Sequence, residues 1–276
     1  MSLAFKLFTA TIIVLCVGAI AAEVRRELGD AARWTADLDA DDVARRAAAL
    51  DRYSLGPHDW PQPVPCAALS RRLRDTAVRE SVLPAMARVV NAGECIDMVA
   101  AALAQGADPA TRALAARALG SAPRAALTVV EGPLIAATQQ DDSSAVAAVV
   151  ALGQLGDTAA AVRRALVSAF QNGAETIRIE ALESIGRTFD AEDIRPFIES
   201  GMFDDRPSVR AASVLALSSA PGHFQTSERI ALRLRSLAVD SSFEVRDAVR
   251  AVARSRRNGR NPPIGITADG PSLSRP

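Results

Sequence analysis

Four segments in the second half of this chain align without gaps on a single position. They span 108–120, 141–153, 174–186 and 206–218, and a weaker fifth copy surrounds Arg246. The matched positions Arg112, Ala145, Arg178, Arg210 and Arg246 stand 33, 33, 32 and 36 residues apart. A fixed period of that size marks stacked helical repeats rather than a closed globular fold. One such unit cannot bury its apolar face alone, so neighbours stack on it, and the stack presents an extended surface. The repeat therefore says more about how the protein works than about what it binds.

Composition agrees with an all-α architecture. Hydrophobic residues make up 49% of the chain and aromatics only 4%, with alanine abundant, which suits closely approaching helices. Stretches with period-two alternation of β-branched residues are scarce, so strands are not expected. The net charge is zero and Lys6 is the only lysine. Arginine forks suit phosphate, but a GC-rich genome gives the same bias, and here the arginines alternate with Asp and Glu. Without a clustered basic patch, no nucleic-acid partner is expected.

Residues 7–22 form an uninterrupted apolar run behind Lys6. The run fits a signal-peptide core and is slightly short for a spanning helix. Counted from Leu3 it reaches spanning length with one lysine that can snorkel. Ala19-Ile20-Ala21 offers a cleavage site, whereas the following Glu-Val-Arg-Arg-Glu-Leu continues a helix. The expected localisation is a single-pass anchor in a bacterial inner membrane with the bulk in the periplasm; release after cleavage is the alternative. Cys66 and Cys95 form an even pair that an exported chain could oxidise to a disulfide; two buried free thiols are the other reading. With no Cys-x-x-Cys or Cys/His cluster, no metal site is expected.

The organisation divides into 1–22 (signal or anchor), 23–65 (a juxtamembrane helix and Pro-rich linker), 66–254 (the helical repeats) and 255–276 (a polar tail expected to be disordered). Four prolines crowd the linker, which is expected to be a spacer or a loop pinned by Trp60. Pro84 should kink or divide its helix, and Gly132-Pro133 should do the same in the segment 124–138. Each repeat reads as two helices: a first helix (Ile96–Gln105, 124–138, 158–171, 191–200, 227–239) and then the aligned segment. Aspartates in the turns should cap helix N-termini, and Gly120, Gly153 and Gly186 should stop the second helices.

The motif that emerges is Thr111-Arg112-x-x-Ala115-x-x-Ala118-Leu119-Gly120, repeated as Ile177-Arg178-x-x-Ala181…Ile185-Gly186 and Val209-Arg210-x-x-Ser213…Leu217, with a last trace at Val245-Arg246. Over about residues 90–254 it resembles the HEAT-repeat family, particularly the phycobilisome-lyase-like HEAT repeats. The resemblance implies a right-handed α-solenoid of about five helix pairs. It also implies a hydrogen-bonded ladder of turn aspartates and helix arginines, with Asp108, Arg112, Arg178, Asp205, Arg210 and Arg246 as members and a break at Ala145.

No motif for a nucleophile, phosphate loop or zinc hydrolase is present. The only histidines, His58 and His223, have no partner at diagnostic spacing. The expectation is therefore a non-catalytic protein without cofactor: a protein–protein interaction scaffold or assembly factor of the cell envelope. The rivals are a cofactor- or chromophore-handling lyase or chaperone, and a cytoplasmic membrane-tethered adaptor. The candidate partner-binding surface follows the second helices at Leu114, Arg117, Val150, Glu180, Glu183 and Leu215.

Overall fold

A computed structural model describes residues 29–55, 57, 60, 63–106, 108–219 and 227–257. The expected signal or anchor at 1–22, most of the polar tail, and both histidines lie outside the described residues. Among the described residues no helix is long and apolar enough to cross a membrane.

All regular structure among these residues is helical. A first helix, α1, is described over 29–38. It is followed by α2 (Val43–Leu55), α3 (Cys66–Arg72), α4 (Arg79–Asn91), α5 (Ile96–Gln105), α6 (Pro109–Leu119) and α7 (Leu127–Ala137). Then come α8 (Ser143–Leu155), α9 (Ala160–Asn172), α10 (Glu175–Thr188), α11 (Ala191–Met202), α12 (Pro207–Ser219), α13 (Glu228–Leu237) and α14 (Phe243–Arg257). The last helix runs past residue 254, where the repeats were expected to end.

The helices stack in two rows. Each even-numbered helix from α2 to α14 packs on the next even one, and within each pair the odd helix packs on its even partner, as in α5 with α6 or α11 with α12. This arrangement is consistent with an α-solenoid. The even row packs closely because its buried face is built of small residues: Ala115, Ala116, Ala118, Ala145, Ala148 and Ala151 are fully buried. A larger residue seven after the aligned position, such as Leu119, Leu152, Ile185 or Leu217, fills the space between the rows.

The stack begins earlier than Cys66. Helix α2 packs along α4, and Leu38, Ala49, Leu50 and Tyr53 belong to the same hydrophobic core as the repeats. Within the region 23–65, the described helices α1 and α2 thus contribute to the same core as the repeats. Trp60 is buried in the proline-rich connection and lies 5.7 Å from the Tyr53 ring, which Trp34 meets edge-on at 4.9 Å. These aromatics pin the loop.

Two local expectations need correction. Helix α4 continues through Pro84, and α7 continues through Pro133. The division in the 124–138 segment falls upstream, where a 3-10 turn at Arg124–Ala126 precedes α7. The glycines also act differently from expected. Gly153 and Gly186 lie inside α8 and α10, and Gly120 ends α6 with φ −60°, not in the left-handed region. Gly120 and Gly153 serve close approach: a Cβ on Gly153 would lie 2.9 Å from Ser184 Cα, and one on Gly120 would lie 3.1 Å from Ala151 Cα. Those distances demand that a neighbouring helix move. Backbone contact, not helix termination, fixes glycine at these two places.

Candidate interaction surface and the ladder beneath it

The turn aspartates cap helices as expected. Asp108 accepts from Thr111 N at 2.8 Å, Asp142 from Ser144 N at 2.7 Å, Asp204 from Arg206 N at 3.0 Å and Asp240 from Ser242 N at 2.9 Å. Each satisfies a donor that the first helical turn leaves without an intrahelical partner. Capping engages one carboxylate oxygen and leaves the other able to receive an arginine from the preceding helix pair.

That second bond makes the ladder, in a register that differs from the expected one. Arg112 donates to Asp142, Arg178 to Asp204, and Arg210 to both oxygens of Asp240 at 2.9 and 3.1 Å. Asp108 and Asp205 are not acceptors in it. Thr111 occupies both oxygens of Asp108 through its N–H and its hydroxyl, while Asp205 offers Arg210 only its backbone carbonyl. The arginines also hold their own turns: Arg112 donates to Gly106 O, Arg210 to Asp204 O, and Arg246 to Asp240 O and Ser241 O. Arg112 and Arg210 each join two turns, their own and the next, while Arg178 reaches back to Phe170 O in the last turn of α9 and Arg246 binds its own turn.

The ladder also extends upstream of the residues the sequence pattern singled out. Arg46 donates to Asp75 at 2.8 Å, with both side chains largely buried. Arg46 and Arg79 continue the period of 33 back from Arg112. The signal was present in the arginine spacing, but the proline-rich connection hid it by interrupting the helical pattern.

Numbering the joints between successive helix pairs from α1/α2 onward, rungs stand at the first, third, fifth and sixth. The second lacks one: Arg79 is exposed and Asp108 is engaged by Thr111. The fourth lacks one because both partners are gone, Ala145 from the helix and Ala174 from the turn. Losing both leaves no buried charge without a counter-ion. Ser184, which donates to Val149 O at 3.0 Å, links α10 to α8 there instead.

Cys66 and Cys95 are bonded, with their Cα atoms 5.2 Å apart. The bridge joins the start of α3 to the residue preceding α5, and so crosses the second joint. Cys95 has φ 58°, a left-handed conformation that a non-glycine residue adopts at a cost. Among the described residues no cluster of His, Cys, Asp or Glu could hold a metal ion.

The six candidate surface residues separate into two groups. Leu114 is buried at 8% exposure and belongs to the core between helices, so it is not part of an accessible surface. Arg117 and Glu183 are exposed, Val150 and Glu180 are half-buried, and Leu215 is 44% exposed. Arg117 on α6 and Glu180 on α10 interact electrostatically across α8. Between them α8 offers half-buried Val146 and Val150. Burial and then the neighbouring Glu183 raise the Glu180 carboxyl above its ordinary value, while Arg187 and Arg117 partly offset this. Arg187 lies 3.6 Å from Glu183. The result is an apolar strip with a cation on one wall and a carboxylate pair on the other.

No family model matches the chain, and no curated protein sequence matches it. Among solved structures it is similar to human deoxyhypusine hydroxylase in complex with glycerol, at 16% identity and a TM-score of 0.36, over 86% of this chain and 99% of that one. That protein is an enzyme. The expectation of a non-catalytic chain is therefore corrected: a stacked-helix architecture is no ground for excluding catalysis, because function resides in sites rather than in folds. A likeness this distant assigns no activity, substrate or cofactor to the present chain.

Proposed function

We propose that this chain is a right-handed, HEAT-like α-solenoid that binds another protein along its even-numbered helices, as a scaffold or assembly factor of the bacterial cell envelope. One observation carries the reading: the strip of Val146 and Val150 on α8, walled by Arg117 and by Glu180 with Glu183. The even row is the more closely packed one, which suits the inside of a curved stack. An amphipathic helix suits such a groove. It would lay apolar residues on the α8 valines, an acidic residue against Arg117 and a basic residue against the glutamates. The raised Glu180 carboxyl supports this, since a cationic partner would relieve its repulsion with Glu183.

The envelope assignment is supported by the apolar run 7–22 and by the oxidised Cys66–Cys95 pair, which suits an oxidising compartment. The N-terminal run would act as an anchor, with the solenoid in the periplasm. The test is proximity labelling from the C-terminus of the full chain, comparing the native sequence with an Arg117→Glu, Glu183→Arg double variant. The proposal expects a set of envelope proteins to be labelled by the native chain and lost in the variant. An identical set in both overturns the surface, and labelling confined to cytoplasmic proteins overturns the location.

A further inference from the structure

The second joint is held unlike the others. Among the described residues it has no arginine–aspartate rung, and it is crossed by the packing of α4 on α6 and α3 on α5, the Cys66–Cys95 bond, and a long 3.3 Å contact of the Thr111 hydroxyl, whose hydrogen goes to Asp108, with Leu73 O. Helix pairs in such a stack contact only their neighbours, so each joint governs the coupling of everything on either side. Here one covalent bond, between the starts of α3 and α5, crosses a joint without an ionic rung. It also borders open space: Cys66 and Cys95 both line a cleft of about 560 Å³ whose other walls include Pro123, Ala125, Met98 and Val129. Met98 and Val129 are 39% and 40% exposed, so the cleft presents apolar walls beside the Glu94 and Asp97 carboxylates and is open to a visiting protein surface.

We propose that Cys66–Cys95 is a thiol–disulfide exchange site, reached through this cleft by a dithiol protein, and that its state sets the coupling across the second joint. A thiolate of the dithiol attacks Cys66 Sγ, forming a mixed disulfide. The Sγ–Sγ bond breaks and its electron pair leaves on Cys95 Sγ. Cys95 departs from the N-terminus of α5, a helix of 10 residues whose unpaired N–H groups favour its thiolate against the nearby Glu94 and Asp97 carboxylates. The second thiol of the dithiol then attacks the mixed disulfide and releases Cys66. The dithiol ends as a disulfide, two electrons have passed to the cysteines, and two protons complete their thiols. Opening frees Cys95 from its left-handed conformation and leaves α1–α4 joined to the rest, among the described residues, mainly by packing.

The experiment uses the full chain, oxidised, with dithiothreitol as the dithiol under native conditions. Alkylation with peptide mapping reads Cys66 and Cys95 separately from Cys16, circular dichroism reads helix content, and hydrogen exchange reads each helix. The expected result is alkylation of Cys66 and Cys95 with helix content retained. Exchange in α3–α5 should rise about tenfold or more, with α10–α14 unchanged and the increase reversed on reoxidation. Val129→Trp, which narrows the cleft, should slow the reduction. The proposal is overturned if the cysteines react only once denaturant has unfolded the chain, or if exchange rises uniformly. It is also overturned if a Cys66→Ser, Cys95→Ser double variant cannot fold, because a reversible latch requires a folded open state.

Discussion

At the scale of the residue, the aspartates of this stack work by capping a helix while leaving acceptor capacity for an arginine. Asp142, Asp204 and Asp240 each cap a helix and still receive an arginine, whereas Asp108 gives both oxygens to Thr111. Removing the arginine strands a largely buried carboxylate, so Arg210→Ala should cost about 2 kcal/mol, read by chemical denaturation. The glycines make an opposed pair. Gly153→Ala should destabilise by about 1–3 kcal/mol because the added methyl meets Ser184 backbone. Gly186→Ala should instead stabilise by about 0.5–1 kcal/mol, since its Cβ would meet only Ile194 Cδ1 at 3.6 Å and the helix interior prefers alanine. A sequence in which both glycines occupy one register cannot distinguish them; only the distance to the next helix does.

At the scale of the element, the helices themselves were legible from apolar spacing, and so were the capping aspartates. What was not legible is where helices break. A proline removes one donor, yet Pro84 and Pro133 sit inside continuous helices because packing on the neighbouring pair outweighs one lost bond. Helix α7 carries a further feature that spacing could not reveal. Its Glu131 carboxyl is raised above the ordinary value, first by hydrogen bonding with Asp157 in the turn after α8 and then by burial. Asp157 has one buried oxygen without a hydrogen-bond partner. A raised carboxyl supports the fold while protonated, and that support is lost as pH rises through its folded value. Glu131→Gln should therefore raise the melting temperature at pH 7, with a smaller gain near pH 4. Equal gains at both pH values would contradict this account.

At the scale of the molecule, the period gave the stacked architecture but not its length. Among the described residues the five expected pairs become seven, because α1/α2 and α3/α4 share the core, where the repeats keep the arginine spacing while losing the alanine–glycine pattern. Of the proposed surface residues, Arg117 and Glu183 are exposed and Glu180 is half-buried, whereas Leu114 faces into the stack, a difference set by how far each helix rolls on its neighbour and not by spacing. Acid should weaken the third and sixth joints. Arg210 holds the Asp240 carboxyl below its ordinary value; Ser144 and then Arg112 do the same for Asp142. A lowered carboxyl contributes stability that is complete above its unfolded value and is lost as pH falls through the folded one. The melting temperature should thus drop on acidification below about pH 4, and less steeply in Arg210→Ala.

The unequal joints have a consequence for how the stack responds to salt. Added electrolyte weakens the arginine–aspartate rungs of the first, third, fifth and sixth joints, though less where they are most buried. It leaves untouched the disulfide of the second joint and the Gly153–Ser184 contact of the fourth. Bending stiffness along the molecule is then ionic at some joints and covalent or steric at others, so a change of ionic strength alters its curvature in sections, not as a whole.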